Sequence, residues 1–142
     1  FLTFFNLNSI YCVDTWQGSI EQSGTKNFSD VEKSFDYNLS FFKNKFKKIK
    51  KNSDSFFLSN ESVFDMIFID GYHKYNQVLR DLNNAKSVLK NGGFLLLDDY
   101  DYRHKERPLK QNVASAVNHF ILENKNHYEV MYLYQQILLK KI

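Results

Sequence analysis

Four acidic side chains stand where strands are predicted to end: Asp14 after SIYCV, Asp70 after FDMIFI, and the pair Asp98-Asp99 after FLLL. In open α/β sheets ligands collect at the carboxyl ends of the strands, so acids at that edge are candidates for binding polar or charged groups. Taken singly, each is equally a turn or helix-cap residue, a position Asp favours. Four at one edge of one sheet are harder to place that way. Neighbouring strands lie about 4.8 Å apart, so if the strands ending at Asp70 and Asp98 are adjacent, three carboxylates converge and repel. A hard divalent cation such as Mg²⁺ resolves the repulsion, because it takes oxygen ligands octahedrally and keeps positions for water or a substrate oxygen. A substrate hydroxyl on such an ion has a lowered pKa and a fixed direction of attack.

Periodicity supplies the elements that must hold these acids. Ile10 to Val13 reads as a short buried strand, followed by polar residues and Gly18. Gln17 to Asn27 reads as a loop of about ten residues, the length of a lid or binding loop. Ser29 and Glu32 form a capping-box pair ahead of Val31, Phe35, Leu39 and Phe42, which predicts a helix start. A strand over Phe46 to Lys50 and a helical turn around Phe56 to Leu58 follow. Phe64 to Ile69 is a nearly continuous apolar run, the pattern of a parallel strand covered on both faces. Val78, Leu79, Leu82, Ala85, Val88 and Leu89 recur at helical spacing, and Asn91-Gly92-Gly93 supplies a stop. Phe94 to Leu97 is a further buried strand. Pro108 opens a helix carrying Leu109, Val113, Val117, Phe120 and Ile121, and two strands, Glu129 to Leu133 and Gln136 to Lys140, close the chain. This alternation predicts an α/β fold with a doubly wound, mostly parallel sheet and a C-terminal antiparallel hairpin.

An apolar content of 43% with 17% aromatics fits one globular domain rather than a disordered chain. A net charge of +3 is too small to imply nucleic acid without a clustered patch. The dense run of Lys43, Lys45, Lys47, Lys48, Lys50 and Lys51 reads as a helix end and a guarded strand edge. Cys12 is the sole cysteine, so no internal disulfide forms and a reducing, cytoplasmic setting is expected. No apolar window has membrane-spanning length, and the FLTFF start has no signal-peptide pattern.

The blocks IDGYHKYNQVLRD and LKNGGFLLLDDY resemble class I S-adenosylmethionine-dependent methyltransferases, whose corresponding segment reads roughly I-D-G-x-H-x-Y-x-x-V-x-x-D and then L-L-x-x-G-G-x-x-x-x-D-D-Y. VDTWQGS, FDYN around Phe35 to Asn38, Lys51 to Ser53 and the terminal YQQILLKK extend the similarity over nearly the whole chain. The pattern is most similar to macrocin-type and other small-molecule O-methyltransferases, and more distantly to the catechol type.

The resemblance implies S-adenosylmethionine as cofactor and Mg²⁺ held by Asp70 and the Asp98-Asp99 pair, with a sugar or small-molecule hydroxyl as acceptor. His73 falls at the place of a general base, work for which a neutral imidazole has a suitable pKa; a loop histidine capping the next helix is the equal alternative. Asp14 resembles the acid that bridges the cofactor ribose hydroxyls, and Trp16 is either a wall of that pocket or a core residue. Asn52 and Ser53 match positions near the adenine amine, with Asn in place of the family's Asp. Asp70 would also face the cofactor.

The departure lies at the front. None of Gly18, Gly24, Gly71, Gly92 and Gly93 forms the family's glycine-rich loop. The first residues look like a helix tail leading into a strand, so residues 1–142 read as a single, N-terminally incomplete methyltransferase domain. The absent strand is expected between the strands ending at Asp14 and near Asn52, leaving backbone groups unpaired and cofactor binding weak. Two other functions stay open: a non-catalytic methyltransferase-like binding module, and another nucleotide-binding α/β enzyme such as a dehydrogenase.

Overall fold

The computed structural model describes residues 9–18, 27–42, 44–104, 108 and 111–142. The FLTFF start, most of the predicted 17–27 loop, Lys43 and Leu109 lie outside the described residues. The chain divides into two compact units, Phe1–Ser59 and Asn60–Ile142.

In the first unit β1 (Ile10–Asp14) and β2 (Phe46–Lys50) pair in parallel, Ile10 opposite Phe46 through Asp14 opposite Lys50. The two strands pair directly, which corrects the place expected for the absent strand: it does not fall between the strands ending at Asp14 and near Asn52. Parallel neighbours need a crossover, and α1 (Phe28–Asn38) supplies it. Its cap is Asn27, whose side chain accepts the Ser29 N–H, rather than the predicted Ser29. Glu32 is drawn elsewhere, to Lys48 at 2.8 Å and Lys50 at 2.7 Å. Phe35 packs edge-on against Trp16 and Phe46, and a short 3₁₀ turn, Ser40–Phe42, follows the helix. Buried Phe56 on α2 (Ser53–Ser59) contacts Tyr11 of β1.

In the second unit β3 (Phe64–Ile69), α3 (Tyr75–Val88) and β4 (Leu89–Leu97) make a β-α-β unit with β3 and β4 parallel. After α4 (Val113–Glu123), β5 (Tyr128–Leu133) and β6 (Ile137–Lys141) form the predicted antiparallel hairpin, giving the order β3-β4-β6-β5. The predicted helix ends one residue early, at Val88. Asn91-Gly92-Gly93 lies inside β4 instead of stopping the helix. Phe64 pairs with Leu89 but Met66 with Phe94, so the strand bulges through this segment. Gly92 has φ +77, and a Cβ on Gly93 would come within 2.9 Å of the Asp65 carbonyl, so both positions require glycine. Lys141 takes over the helix stop, its Nζ donating to the carbonyls of Lys86 and Leu89.

Leu82 and Ala85 of α3, Val117 and Phe120 of α4, Leu95 and Leu97 of β4, and Ile137 and Leu139 of β6 are essentially fully buried. Together they form the core on one face of the sheet. The other face departs from expectation: Met66 is 42% and Phe68 52% exposed, so β3 is covered on one side only. The four acids also fall on two sheets, with Asp14 on the first and Asp70, Asp98 and Asp99 on the second.

Candidate functional site

Ile69 pairs with Leu97, so β3 and β4 end level and the next residues, Asp70 and Asp98, leave the sheet side by side. The Asp98 N–H donates to the Ile69 carbonyl at 3.0 Å and ties the two exits together. Beyond them Asp70, His73 and Asp99 each bring a ligand atom within 4.8 Å of the others. His73 Nε2 lies 2.9 Å from Asp99 Oδ2. Two carboxylate oxygens and an imidazole nitrogen suit one divalent ion, whose ligand atoms sit about 3–4 Å apart when bond lengths are near 2.1 Å. Small side-chain rotations close the difference, so the donor set fits.

Asp98 stands outside this trio. Its Oδ1 accepts from Gln136 Nε2 and from the Asp99 N–H, both at 3.0 Å. Asp99 takes a left-handed backbone conformation, φ +54, which turns its side chain toward His73. Tyr102 lies over the imidazole, ring centroids 4.4 Å apart. Asp81 of α3 is 4% exposed and lines a small pocket with Asp70, His73, Leu97 and Asp98. Its Oδ1 accepts from Gln77 Nε2 at 3.2 Å. Of these helpers, Asp81 is the last acid of the IDGYHKYNQVLRD block and Gln136 belongs to YQQILLKK, but nothing local marks either as a site residue. Tyr102 shows no pattern beyond a polar, aromatic loop.

Four of the five cofactor candidates, Asp14, Trp16, Asn52 and Ser53, lie in the first unit, and the fifth, Asp70, lies in the second. Asp14 and Lys50 end β1 and β2 level, and Asn52 follows two residues on. Asp14 Oδ1 accepts the Trp16 N–H at 2.6 Å, folding the carboxylate back over its own turn. Trp16 has φ +52, is 8% exposed, stacks edge-on against Phe35 and carries Lys48 Nζ 4.8 Å above its ring. Asn52 Oδ1 accepts the Ser55 N–H at 2.8 Å and so caps α2, which begins at Ser53. Two lysines of the basic run are paired with carboxylates: Lys48 also bridges to Asp36 at 2.8 Å and Lys50 to Glu32, while Lys47 Nζ donates to Tyr11 Oη. Asp36 first, then Glu32, raises the Lys48 pKa above the ordinary lysine value. Burial raises the Cys12 thiol, which keeps it protonated and unreactive.

A family model described as a methyltransferase domain matches residues 3–100. The chain therefore belongs to the methyltransferase-domain family. It is 37% identical over 60 residues to the uncharacterized protein R132 of Acanthamoeba polyphaga mimivirus, a match covering 42% of this chain and 25% of that protein. The O-methyltransferase NovP superposes with a TM-score of 0.68 at 12% identity, covering 94% of this chain and 60% of NovP. SMU.1697c from Streptococcus mutans, solved in complex with SAH, superposes with a TM-score of 0.61 at 13% identity, covering 99% of this chain and 93% of that one. The matched parts thus span a quarter of R132 and three-fifths of NovP. These likenesses establish the expected α/β, Rossmann-like methyltransferase fold.

Proposed function

We propose that this chain forms the greater part of a single S-adenosylmethionine-dependent O-methyltransferase domain of the macrocin-type, small-molecule subgroup, acting with Mg²⁺ on a hydroxyl of a sugar or small metabolite. The observation that carries the reading is the convergence of Asp70, His73 and Asp99 within 4.8 Å beyond adjacent parallel strands. The O-methyltransferase NovP and the SAH-bound SMU.1697c share the fold and point the same way.

Asp70 and Asp99 are the metal ligands and His73 is the general base. Asp99, beside Nε2, orients the ring and stabilises its charged form after proton transfer. A bound divalent ion would lower the acceptor hydroxyl's pKa and fix its approach. Asp98, tied to Gln136, supports Asp99 rather than contributing a third ligand. Asp14 serves the cofactor ribose after turning from Trp16, which walls the same pocket, with Asn52 and Ser53 on the adenine side. The small net charge of +3, with Lys48 and Lys50 paired to Glu32 and Asp36, supports a small acceptor over nucleic acid. Among the described residues no helix is long and apolar enough to cross a membrane, and a cytoplasmic setting is supported by Cys12 being the sole cysteine, with no internal disulfide possible.

The test is SAH release from S-adenosylmethionine with a panel of sugar and catechol acceptors, in Mg²⁺ and in EDTA, for the protein carrying this chain. Mg²⁺-dependent turnover that collapses in Asp70→Asn is expected. Turnover indifferent to both EDTA and Asp70→Asn would remove the ion, and methylation confined to an RNA oligonucleotide would overturn the acceptor class.

A further inference from the structure

A left-handed conformation costs a residue with a Cβ energy, less for Asp than for most because its short side chain bonds locally, so the surroundings decide whether it is held. Asp99 is such a residue, and its restraints come from the turn of the β5–β6 hairpin. The register Leu97 opposite Ile137 brings that turn alongside the exit of β4. There Gln136 Nε2 donates to Asp98 Oδ1, and the same oxygen accepts the Asp99 N–H. On the far side of Asp99, the Tyr100 N–H donates to the Gln135 carbonyl at 2.8 Å. The Asp99 carbonyl in turn accepts the Tyr102 N–H at 2.9 Å, which places Tyr102 to hold its ring over His73.

We propose that Gln136 is a positioning residue: acting through Asp98, it fixes the left-handed backbone of Asp99 and thereby presets the Asp99–His73 pair. Its functional consequence rests on the reading of Asp70, His73 and Asp99 as an ion site. Chemistry favours an amide here. Glu at this position would set a second carboxylate against Asp98, and an apolar side chain would leave Oδ1 with the Asp99 N–H alone. A Lys keeps a donor within reach. Asp98 is thereby assigned a structural task, since its carboxylate relays the position of the hairpin turn to the backbone of the next residue.

The proposal separates from a merely stabilising contact by two measurements on isotope-labelled protein. The three-bond HN–Hα coupling and Cα shift of Asp99 report its backbone conformation, and Mn²⁺ titration followed by electron paramagnetic resonance reports ion affinity. Gln136→Met is expected to lose the left-handed signature of Asp99 and to weaken Mn²⁺ binding about 10- to 100-fold, the usual effect of removing a partner that orients a ligand. Gln136→Lys and Asp98→Asn, which keep a donor and an acceptor respectively, are expected to retain the signature. Should Gln136→Met not fold, Gln136→Glu serves the same arm. An unchanged Asp99 conformation in the donor-less variant overturns the positioning role. If the wild type binds no Mn²⁺, the ion site fails, while the coupling measurement still decides the role of Gln136.

Discussion

His73 Nε2 and Asp99 Oδ2 lie 2.9 Å apart although one follows β3 and the other β4, twenty-six residues on in the chain. The pairing of Ile69 with Leu97 makes that approach possible, and the left-handed turn at Asp99 completes it. The contact fixes the direction of the imidazole beside the exit of β4, and a base must be held in one direction to reach an acceptor hydroxyl.

If His73 is the base, His73→Ala lowers kcat by about 10²- to 10⁴-fold and leaves Mn²⁺ affinity largely intact, whereas Asp70→Asn abolishes ion binding. Neither is expected to alter the melting temperature much, since Asp70 is exposed and the His73 side chain retains 21% exposure. Parallel turnover, Mn²⁺ titration and thermal melts distinguish the roles. Equal loss of ion affinity in both variants would make His73 a ligand instead of a base.

Asp99→Gly separates stability from function in the opposite sense. Relief of a left-handed conformation is worth at most about 1–2 kcal/mol, and less for Asp than for most residues, offset by about 0.5–1 kcal/mol of extra backbone entropy lost by glycine. The variant is therefore expected to be as stable as the wild type or slightly more so, by up to about 1 kcal/mol, while losing ion binding. Chemical denaturation checks the first and Mn²⁺ titration the second. A clear loss of stability would show that the Asp99 carboxylate supports the fold.

The runs IYCV, FDMIFI and FLLL read as strands because each is a largely apolar block of strand length that ends at a polar residue. The acids at their ends were legible for the same reason. Three features were not. Asn27 outcompetes Ser29 as a cap because Glu32 is pulled away by Lys48 and Lys50, partners 16 and 18 residues distant. Asn91-Gly92-Gly93 looks like a helix stop, yet close approach to the Asp65 backbone makes it a bulge inside β4. Gln136 meets Asp98 across 38 residues of chain, a pairing that depends on hairpin register rather than on any local pattern.

The Glu32–Lys48–Asp36 cluster predicts acid sensitivity in the first unit. Hydrogen bonds from Lys48 and then Lys50 lower the Glu32 pKa below the ordinary glutamate value. A depressed carboxyl contributes stability above its unfolded pKa and loses it as pH falls through the folded one. Unfolding midpoints should therefore decline below about pH 4.5, and Glu32→Gln should flatten that decline. Salt should weaken it too, because Asp36 and Lys50 of the cluster are about half exposed and their charges are screened. An identical acid profile in Glu32→Gln would exclude the cluster as its source.

Tyr128 offers a stabilising substitution. It opens β5, is 5% exposed, and packs its ring edge-on against Phe120 with centroids 5.1 Å apart. Among the described residues its buried hydroxyl has no hydrogen-bond partner, and burial pushes its pKa up to about 12. A buried hydroxyl denied a partner forfeits its hydration, a cost of about 1–3 kcal/mol, whereas the aromatic contact does not depend on the oxygen. Tyr128→Phe is accordingly expected to stabilise the protein by about 1 kcal/mol, with ion affinity unchanged because β5 lies two strands from β4 in the sheet. The raised pKa gives an independent check. A phenol that ionises only near pH 12 predicts that the wild type loses stability in strong alkali as Tyr128 is drawn toward its unfolded, ionised form, while Tyr128→Phe loses less. A destabilised Tyr128→Phe would mean that the hydroxyl is satisfied in solution, by a buried water held between α4 and β5.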